Sequence, residues 1–122
     1  MNSYTPLTVR SARAVLSSHL DHVMGGDLEG DLVTNYAPAV LVLTSDGVMA
    51  GHDGLRRLAR KLRAYDRDTS YKYGQICVAG ELGILPWTLI GPDDVTYDGA
   101  DTFLVRSGYI WTQASHYIAH DA

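Results

Sequence analysis

Ala100-Asp101-Thr102-Phe103-Leu104-Val105-Arg106-Ser107-Gly108-Tyr109-Ile110-Trp111-Thr112-Gln113 reads as two strands and the turn between them. Apolar, β-branched and aromatic residues fill both arms, and Ser107-Gly108 supplies the reversal, which predicts a tight antiparallel hairpin. Working outward, the chain from Ser70 onward divides into four strands, at residues 71–79, 82–90, 95–105 and 109–119. Gly80-Glu81, Gly91-Pro92-Asp93-Asp94 and Ser107-Gly108 punctuate them. Such short links between sequential strands predict an antiparallel meander.

Before Ser70 the period is helical. Val9, Ala12, Leu16, Leu20 and Val23 recur at helical spacing over residues 8–24, with Arg10, Ser11, Ser17, Ser18 and Asp21 mostly on the other side. Gly25-Gly26 end this helix, and Asp27 caps a second one reaching about residue 34, whose Glu29 and Asp31 suit the helix dipole. Residues 37–44 form a nearly continuous apolar strand, Ala39-Val40-Leu41-Val42-Leu43, closed by Ser45-Asp46-Gly47; its lack of alternation predicts cover on both faces. A third helix over residues 52–65 buries Leu55, Leu58, Ala59 and Leu62 and exposes a strongly basic side. Three helices, one inserted strand and four further strands predict an α+β domain spanning residues 1–122, its curved, mainly antiparallel sheet folded over the helices.

Composition narrows the function classes. At 122 residues, 46% of them apolar and 20% charged, the chain suits one compact domain and is too short for two. Ten basic residues against 14 acidic ones give a net charge of −4, which argues against nucleic acid as the main partner. No apolar run approaches the ~18 residues of a membrane span. Met1-Asn2-Ser3-Tyr4-Thr5-Pro6 lacks the basic-then-apolar layout of a secretion signal, so a cytoplasmic protein is expected. Cys77, the single cysteine, cannot form an internal disulfide and, within Gln75-Ile76-Cys77-Val78-Ala79, reads as a small buried strand residue. Seven of the ten basic residues (Arg56, Arg57, Arg60, Lys61, Arg63, Arg67 and Lys72) lie between positions 56 and 72. They form either a solvated helix face or a docking surface for an anionic partner.

Few residues are placed for chemistry. Asp101 shares a strand face with Phe103 and Val105, where a carboxyl group must be paired, solvated in a cavity or protonated. It either lines a pocket or hydrogen-bonds backbone near Asp98-Gly99. With Leu16 at zero on a wheel of about 100° per residue, His19 falls at about −60°, on the flank of the buried stripe, and points inward. His22 makes an HxxH pair with it, but no third ligand recurs at metal-binding spacing, so no metal site is expected. Pro86 removes a ladder donor and implies a bulge or an edge. Trp87 shares its face with Leu85 and Leu89 as a candidate pocket wall. On the last strand Trp111, Gln113, Ser115 and Tyr117 lie on one face and Ile110, Thr112, Ala114, His116 and Ile118 on the other; a bulge would exchange them.

Gly26-Asp27-Leu28, Tyr36-Ala37-Pro38, Ala50-Gly51-His52-Asp53-Gly54-Leu55 and the segment from Ala100 to Ile110, in this order of elements, resemble the nuclear transport factor 2-like superfamily. Within it the chain is most similar to the small bacterial ketosteroid isomerase-like and SnoaL-like polyketide cyclase branch, over about residues 8–119. The resemblance implies a cystatin-like cone, in which the sheet wraps the long helix around a deep apolar pocket. It also implies homodimers through the outer sheet face. At the position of Asp101, isomerase-like members hold a neutral aspartic acid that donates to a developing enolate oxygen, and SnoaL-like members carry a general base nearby. His19 takes the place of the oxyanion-site tyrosine, and Tyr36 matches another tyrosine of that cluster; imidazole can donate to an oxyanion or shuttle a proton. Leu85-Pro86-Trp87 resembles an apolar-Pro-aromatic step that packs on flat ligands. Alignment on Gly108-Tyr109-Ile110 turns Gln113 inward, where many SnoaL-like proteins carry histidine, and His116 outward. The base aspartate of the isomerases falls at Thr44, whose hydroxyl cannot take a carbon-bound proton unaided; Asp46 is the nearest substitute, yet Ser45-Asp46-Gly47 is a turn sequence.

Together these readings predict a pocket for an apolar small molecule. One form of it is an isomerase, cyclase or lyase that works without a cofactor on an apolar, cyclic carbonyl-type substrate. His19 and Asp101 would exchange protons, and Tyr36, Leu85, Trp87, Leu89, Phe103, Val105 and Gln113 would line the site. The alternative is a ligand-binding or dimerisation domain without turnover, and in a third reading His19 and Asp101 are a buried polar pair that supports the fold.

Overall fold

Residues 9–91 and 95–120 are described by the computed structural model of the chain. α1 (Ala12–Met24) begins where the Ser11 hydroxyl accepts the Ala14 amide at 3.1 Å. It therefore starts later than its apolar spacing predicts; Thr8 lies outside the described residues. Asp27 caps α2 (Leu28–Asn35) by accepting the Gly30 amide at 3.0 Å. Arg10, expected on the solvent side of the first helix, instead precedes it and is half-buried. Its guanidinium donates to Asn35 Oδ1 (2.8 Å) and to the carbonyls of Thr34 (2.7 Å) and Gly108 (2.6 Å).

β1 (Tyr36–Thr44) turns back into a strand too short to show in the sequence pattern, β2 (Gly47–Ala50). The continuous apolar run of β1 does not mean cover on both faces: Val40 and Val42 are 0% exposed, whereas Leu41 and Leu43 are 46% and 42% exposed. α3 (Gly51–Leu62) stops short of the predicted residue 65, because Arg63 adopts the left-handed conformation at φ 52°.

The strand predicted at residues 71–79 is broken into β3 (Ser70–Tyr73) and β4 (Cys77–Ala79), both paired with β5 (Leu82–Ile90). The break falls opposite Pro86, which has no N–H to continue the ladder. The Gly74 amide donates to the Pro86 carbonyl at 2.8 Å, and a Cβ at Gly74 would come within 2.8 Å of the proline ring. Cys77, on three-residue β4 at the sheet margin, is exposed rather than buried. β6 (Thr96–Arg106) and β7 (Tyr109–His120) complete the sheet, whose order is β2-β1-β7-β6-β5-β3 with β4 also on β5. The Gly91 amide meets the Val95 carbonyl at 2.8 Å across the turn into β6; Pro92, Asp93 and Asp94 of that turn lie outside the described residues. The β3, β5, β6 and β7 meander is antiparallel, and β1 joins it parallel to β7.

A bulge decides the faces of β7. The register slips between Leu104↔Thr112 and Val105↔Ile110, which leaves Trp111 as the extra residue. Ile110 therefore points inward (0% exposed), and Trp111, predicted to share the face of Gln113, points outward (40% exposed). Gln113 and Ser115 stay inward and His116 outward, because they follow the slip. α1 packs Val15 and Leu16 on the inner face of the sheet, where Gly83 makes room: a Cβ there would lie 2.3 Å from Leu16 Cδ1. Among the described residues no helix is long and apolar enough to cross a membrane. Three helices against one curved, mainly antiparallel sheet make an α+β cone.

Candidate active site

Because β5, β6 and β7 are in register, their inward residues form rows across the sheet. Leu85, Asp101 and Ser115 make one row; Trp87, Gly99 and Tyr117 make the next; Leu89 and Tyr97 pair in the outermost. Gly83, Phe103 and Gln113 lie one row deeper. The helices close over these rows, and two of the spaces left among the described residues involve the predicted site.

The inner chamber measures about 40 Å³ and is lined by His19, Tyr36, Leu85, Asp101, Gln113 and Ser115, together with Tyr65 and apolar residues of α3. Two carboxyl groups, the buried Asp31 and the half-buried Asp101, organise its polar atoms. Asp31, 0% exposed, accepts His19 Nδ1–H at 2.7 Å and the Tyr65 hydroxyl at 2.5 Å on Oδ2, and the Asn35 amide at 2.8 Å on Oδ1. Arg10 holds Asn35 from the other side. With Nδ1–H donating to Asp31, a neutral imidazole carries its lone pair on Nε2. Asp101 accepts Trp87 Nε1–H at 3.2 Å on Oδ1 and a further bond from Ser115. Ser115 in turn accepts from the Gln113 amide (3.2 Å), and Gln113 accepts the hydroxyl of Tyr36. Burial raises the Asp101 carboxyl above the usual carboxylate range, opposed by the Ser115 and Trp87 hydrogen bonds and by the neighbouring His19. Burial also pushes the Tyr36 hydroxyl well above its ordinary value, and the Asp31 and Asp101 carboxylates add to the effect.

The outer cleft, about 460 Å³, opens between the end of α3 and the outermost sheet rows. Leu62, Trp87, Leu89, Ile90, Tyr97 and Tyr117 form its apolar wall, and Lys61, Arg63 and Asp68 stand at its edge. Lys61 pairs with Asp46, and Arg63 with Asp66 (2.7 Å) and Asp68 (3.3 Å). Arg56 is likewise held by Glu29 (2.7 Å) and Asp53 (2.6 Å), so Arg56, Lys61 and Arg63 of the basic run are neutralised locally.

The predicted site residues divide accordingly. His19, Asp101, Tyr36, Leu85 and Gln113 meet at the inner chamber; Trp87 and Leu89 face the cleft. Phe103 and Val105, expected to touch ligand, line neither space: they are 0% and 3% exposed in the core beneath α1, with the Phe103 ring centroid 5.3 Å from that of His19. Thr44 spends its hydroxyl on the turn, accepting the Asp46 amide at 3.1 Å and donating to the Gly47 carbonyl at 3.3 Å. Asp46 is exposed in that turn and provides no base to the chamber. His22 donates to its own helix at the Ser18 carbonyl (2.8 Å), and among the described residues no group of three His, Cys, Asp or Glu side chains could hold a metal.

Sequence reasoning missed Asp31 and Tyr65. Asp31 passes for a first-turn acid suited to the helix dipole. The signal that finds it is the wheel of α2: with Leu28 at zero, Leu32, Asn35 and Asp31 fall at about +40°, −20° and −60°, all on one stripe.

No protein-family model matches the chain, and no curated protein is significantly similar to it. Solved structures are. A candidate ketosteroid isomerase from Kribbella flavida superposes with a TM-score of 0.75 at 15% identity, over 93% of this chain and 82% of that one. The epoxide hydrolase/cyclase-like enzyme SalBIII, of pyran ring formation in the polyether salinomycin, gives 0.70 at 12% identity over 88% and 90%. A candidate SnoaL-like polyketide cyclase from Mesorhizobium loti gives 0.65 at 15% identity over 88% and 100%. The chain superposes on these structures at low identity, as it does on a nuclear transport factor 2-like protein from Mesorhizobium loti (TM-score 0.75, 14% identity, 94% of this chain and 97% of that one), and so has the nuclear transport factor 2-like fold.

Proposed function

We propose that the protein is a proton-transfer enzyme of the isomerase, cyclase or lyase kind, acting without a cofactor on an apolar, cyclic carbonyl-type substrate. The observation that carries this reading is that two titratable groups of different character, the Asp31-held imidazole of His19 and the desolvated carboxyl of Asp101, line one small chamber. Asp31 fixes the tautomer of His19 so that Nε2 accepts a proton. Burial keeps Asp101 toward its neutral form, able to donate a hydrogen bond to a carbonyl oxygen gaining negative charge. The substrate's ring fits the outer cleft, whose volume is in the range of ligand sites; the chamber is too small for it and takes the polar end alone. A second copy of the chain would pack on the outer sheet face, where Leu41, Leu43, Ile84 and Ile118 are exposed.

One observation favours a binding domain without turnover: the space large enough for a ligand is separated from His19 and Asp101 by Leu62 and Trp87. Turnover of a panel of cyclic ketones, epoxides and polyketide-like substrates, followed by mass spectrometry, separates the two. The enzyme reading expects Asp101→Asn and His19→Gln each to lower turnover at least about a hundredfold, with ligand affinity nearly kept. Ligands that bind the wild type with no conversion across the panel would sink it.

A further inference from the structure

Trp87 occupies the row between the chamber and the cleft, and everything around it fits an indole in that place. Gly99, directly opposite on β6, has no side chain where a Cβ would come within 2.3 Å of the Trp87 ring. Tyr71 meets the ring edge-on at 5.5 Å between centroids, and Tyr117, in the same row, lies at 5.9 Å. Inside, Nε1–H holds Asp101; outside, the ring forms part of the cleft wall, yet the residue is only 4% exposed. Leu62 of α3 borders both spaces, so they adjoin beside the indole on the helix side. The cone thus holds about 460 Å³ in front of the indole and about 40 Å³ behind it.

We infer that Trp87 is the specificity-determining residue of this site: seated on Gly99, it excludes rings from the chamber of His19 and Asp101 and holds them in the outer cleft. The inference rests on the reading that ligands occupy the interior of the cone. It extends that reading by stating which part of a substrate reaches the titratable groups, a small polar end, and which residue imposes the limit. A smaller side chain at position 87 widens the junction of the two spaces, so that the apolar wall of Leu85 and Leu55 becomes available to a ring.

Toluene, an apolar single ring without a polar end, tests this directly by nuclear Overhauser contacts to methyl groups. Leu89 and Ile90 report on the cleft, Leu85 and Leu55 on the chamber. In the wild type, contacts are expected to Leu89 and Ile90 alone. In Trp87→Ala they extend to Leu85 and Leu55, and affinity rises at least tenfold. Trp87→Phe, which keeps a ring in the row, guards against loss of folding and gives the same new contacts with a smaller gain. Toluene at Leu85 in the wild type, or toluene confined to Leu89 and Ile90 in the folded variants, overturns the role of Trp87 and leaves the acid–base reading standing. No toluene contact in any of the proteins overturns the cleft as a ligand site, and the proposed function with it.

Discussion

Replacing Asp31 by asparagine probes the hub of the chamber with almost no change of shape. The carboxylate accepts three buried bonds, from His19 and Tyr65 on one oxygen and Asn35 on the other. An asparagine oriented to keep the first two turns its own NH₂ toward the NH₂ of Asn35, and Asn35 cannot flip without losing Arg10 from its oxygen. Hydrogen bonds to a charged group contribute about 1.5–3 kcal/mol and neutral ones about 0.5–1.5, so the two retained bonds weaken by about 1 kcal/mol each. The third is lost and leaves a buried donor unpaired, at a cost of about 1–3 kcal/mol. A neutral amide is less costly to bury than a carboxylate, which brings the expected net loss to about 3 kcal/mol. With a urea dependence of about 1.5–2 kcal/mol per molar, the unfolding midpoint should fall by about 1.5–2 M. The nitrogen chemical shifts of His19 give a second reading: with the bond that holds the proton on Nδ1 weakened by about 1 kcal/mol, the share of the Nε2–H tautomer should rise in Asp31→Asn. A midpoint change under about 0.5 M, with the imidazole tautomer unchanged, would refute the assignment of Asp31 as the group that orients His19.

Two further outcomes follow from the same geometry. The Asp101 carboxyl is raised in the folded chain, so that chain keeps its proton over a pH range where the unfolded chain has lost it. This destabilisation is absent below the ordinary carboxylate value, grows as pH rises and is complete above the raised value. Asp101→Asn should therefore gain stability relative to wild type as pH increases, measured by urea unfolding from about pH 4 to 8; parallel curves would show that the carboxyl is not desolvated in the folded chain. On the outer face, Leu43→Glu should convert a dimer into monomers in sedimentation velocity, and a wild type that sediments as a monomer at micromolar concentration would discard the proposed pairing.

Much of the fold was legible because it depends on local rules. The Ser107-Gly108 turn, the Gly25-Gly26 helix end and the Asp27 cap act within a few residues, and the helical stripe of Ala12, Leu16 and Val23, with His19 on its flank, needs only the geometry of one helix. Where the expectation failed, a neighbour intervened. Pro86 broke the partner strand rather than its own, and the Trp111 bulge moved one residue to the opposite face without disturbing Gln113. The continuous apolarity of β1 misled because Leu41 and Leu43 stay uncovered within the chain.

Of the site, the helical and strand periods turned His19 and Asp101 inward, whereas Tyr36 and Gln113 were placed by the family resemblance, because the strand period alone left the faces of the last strand open. Which of them act together was a tertiary matter. Asp31 reaches His19 only because α2 packs on α1, and it reaches Tyr65 only because the segment after α3 folds back over both. Likewise, Leu85, Trp87 and Leu89 alternate as any strand would. Their sorting into chamber, partition and cleft depends on the register that sets Asp101, Gly99 and Tyr97 opposite them, and a slip of one residue would turn every one of those side chains to the other face.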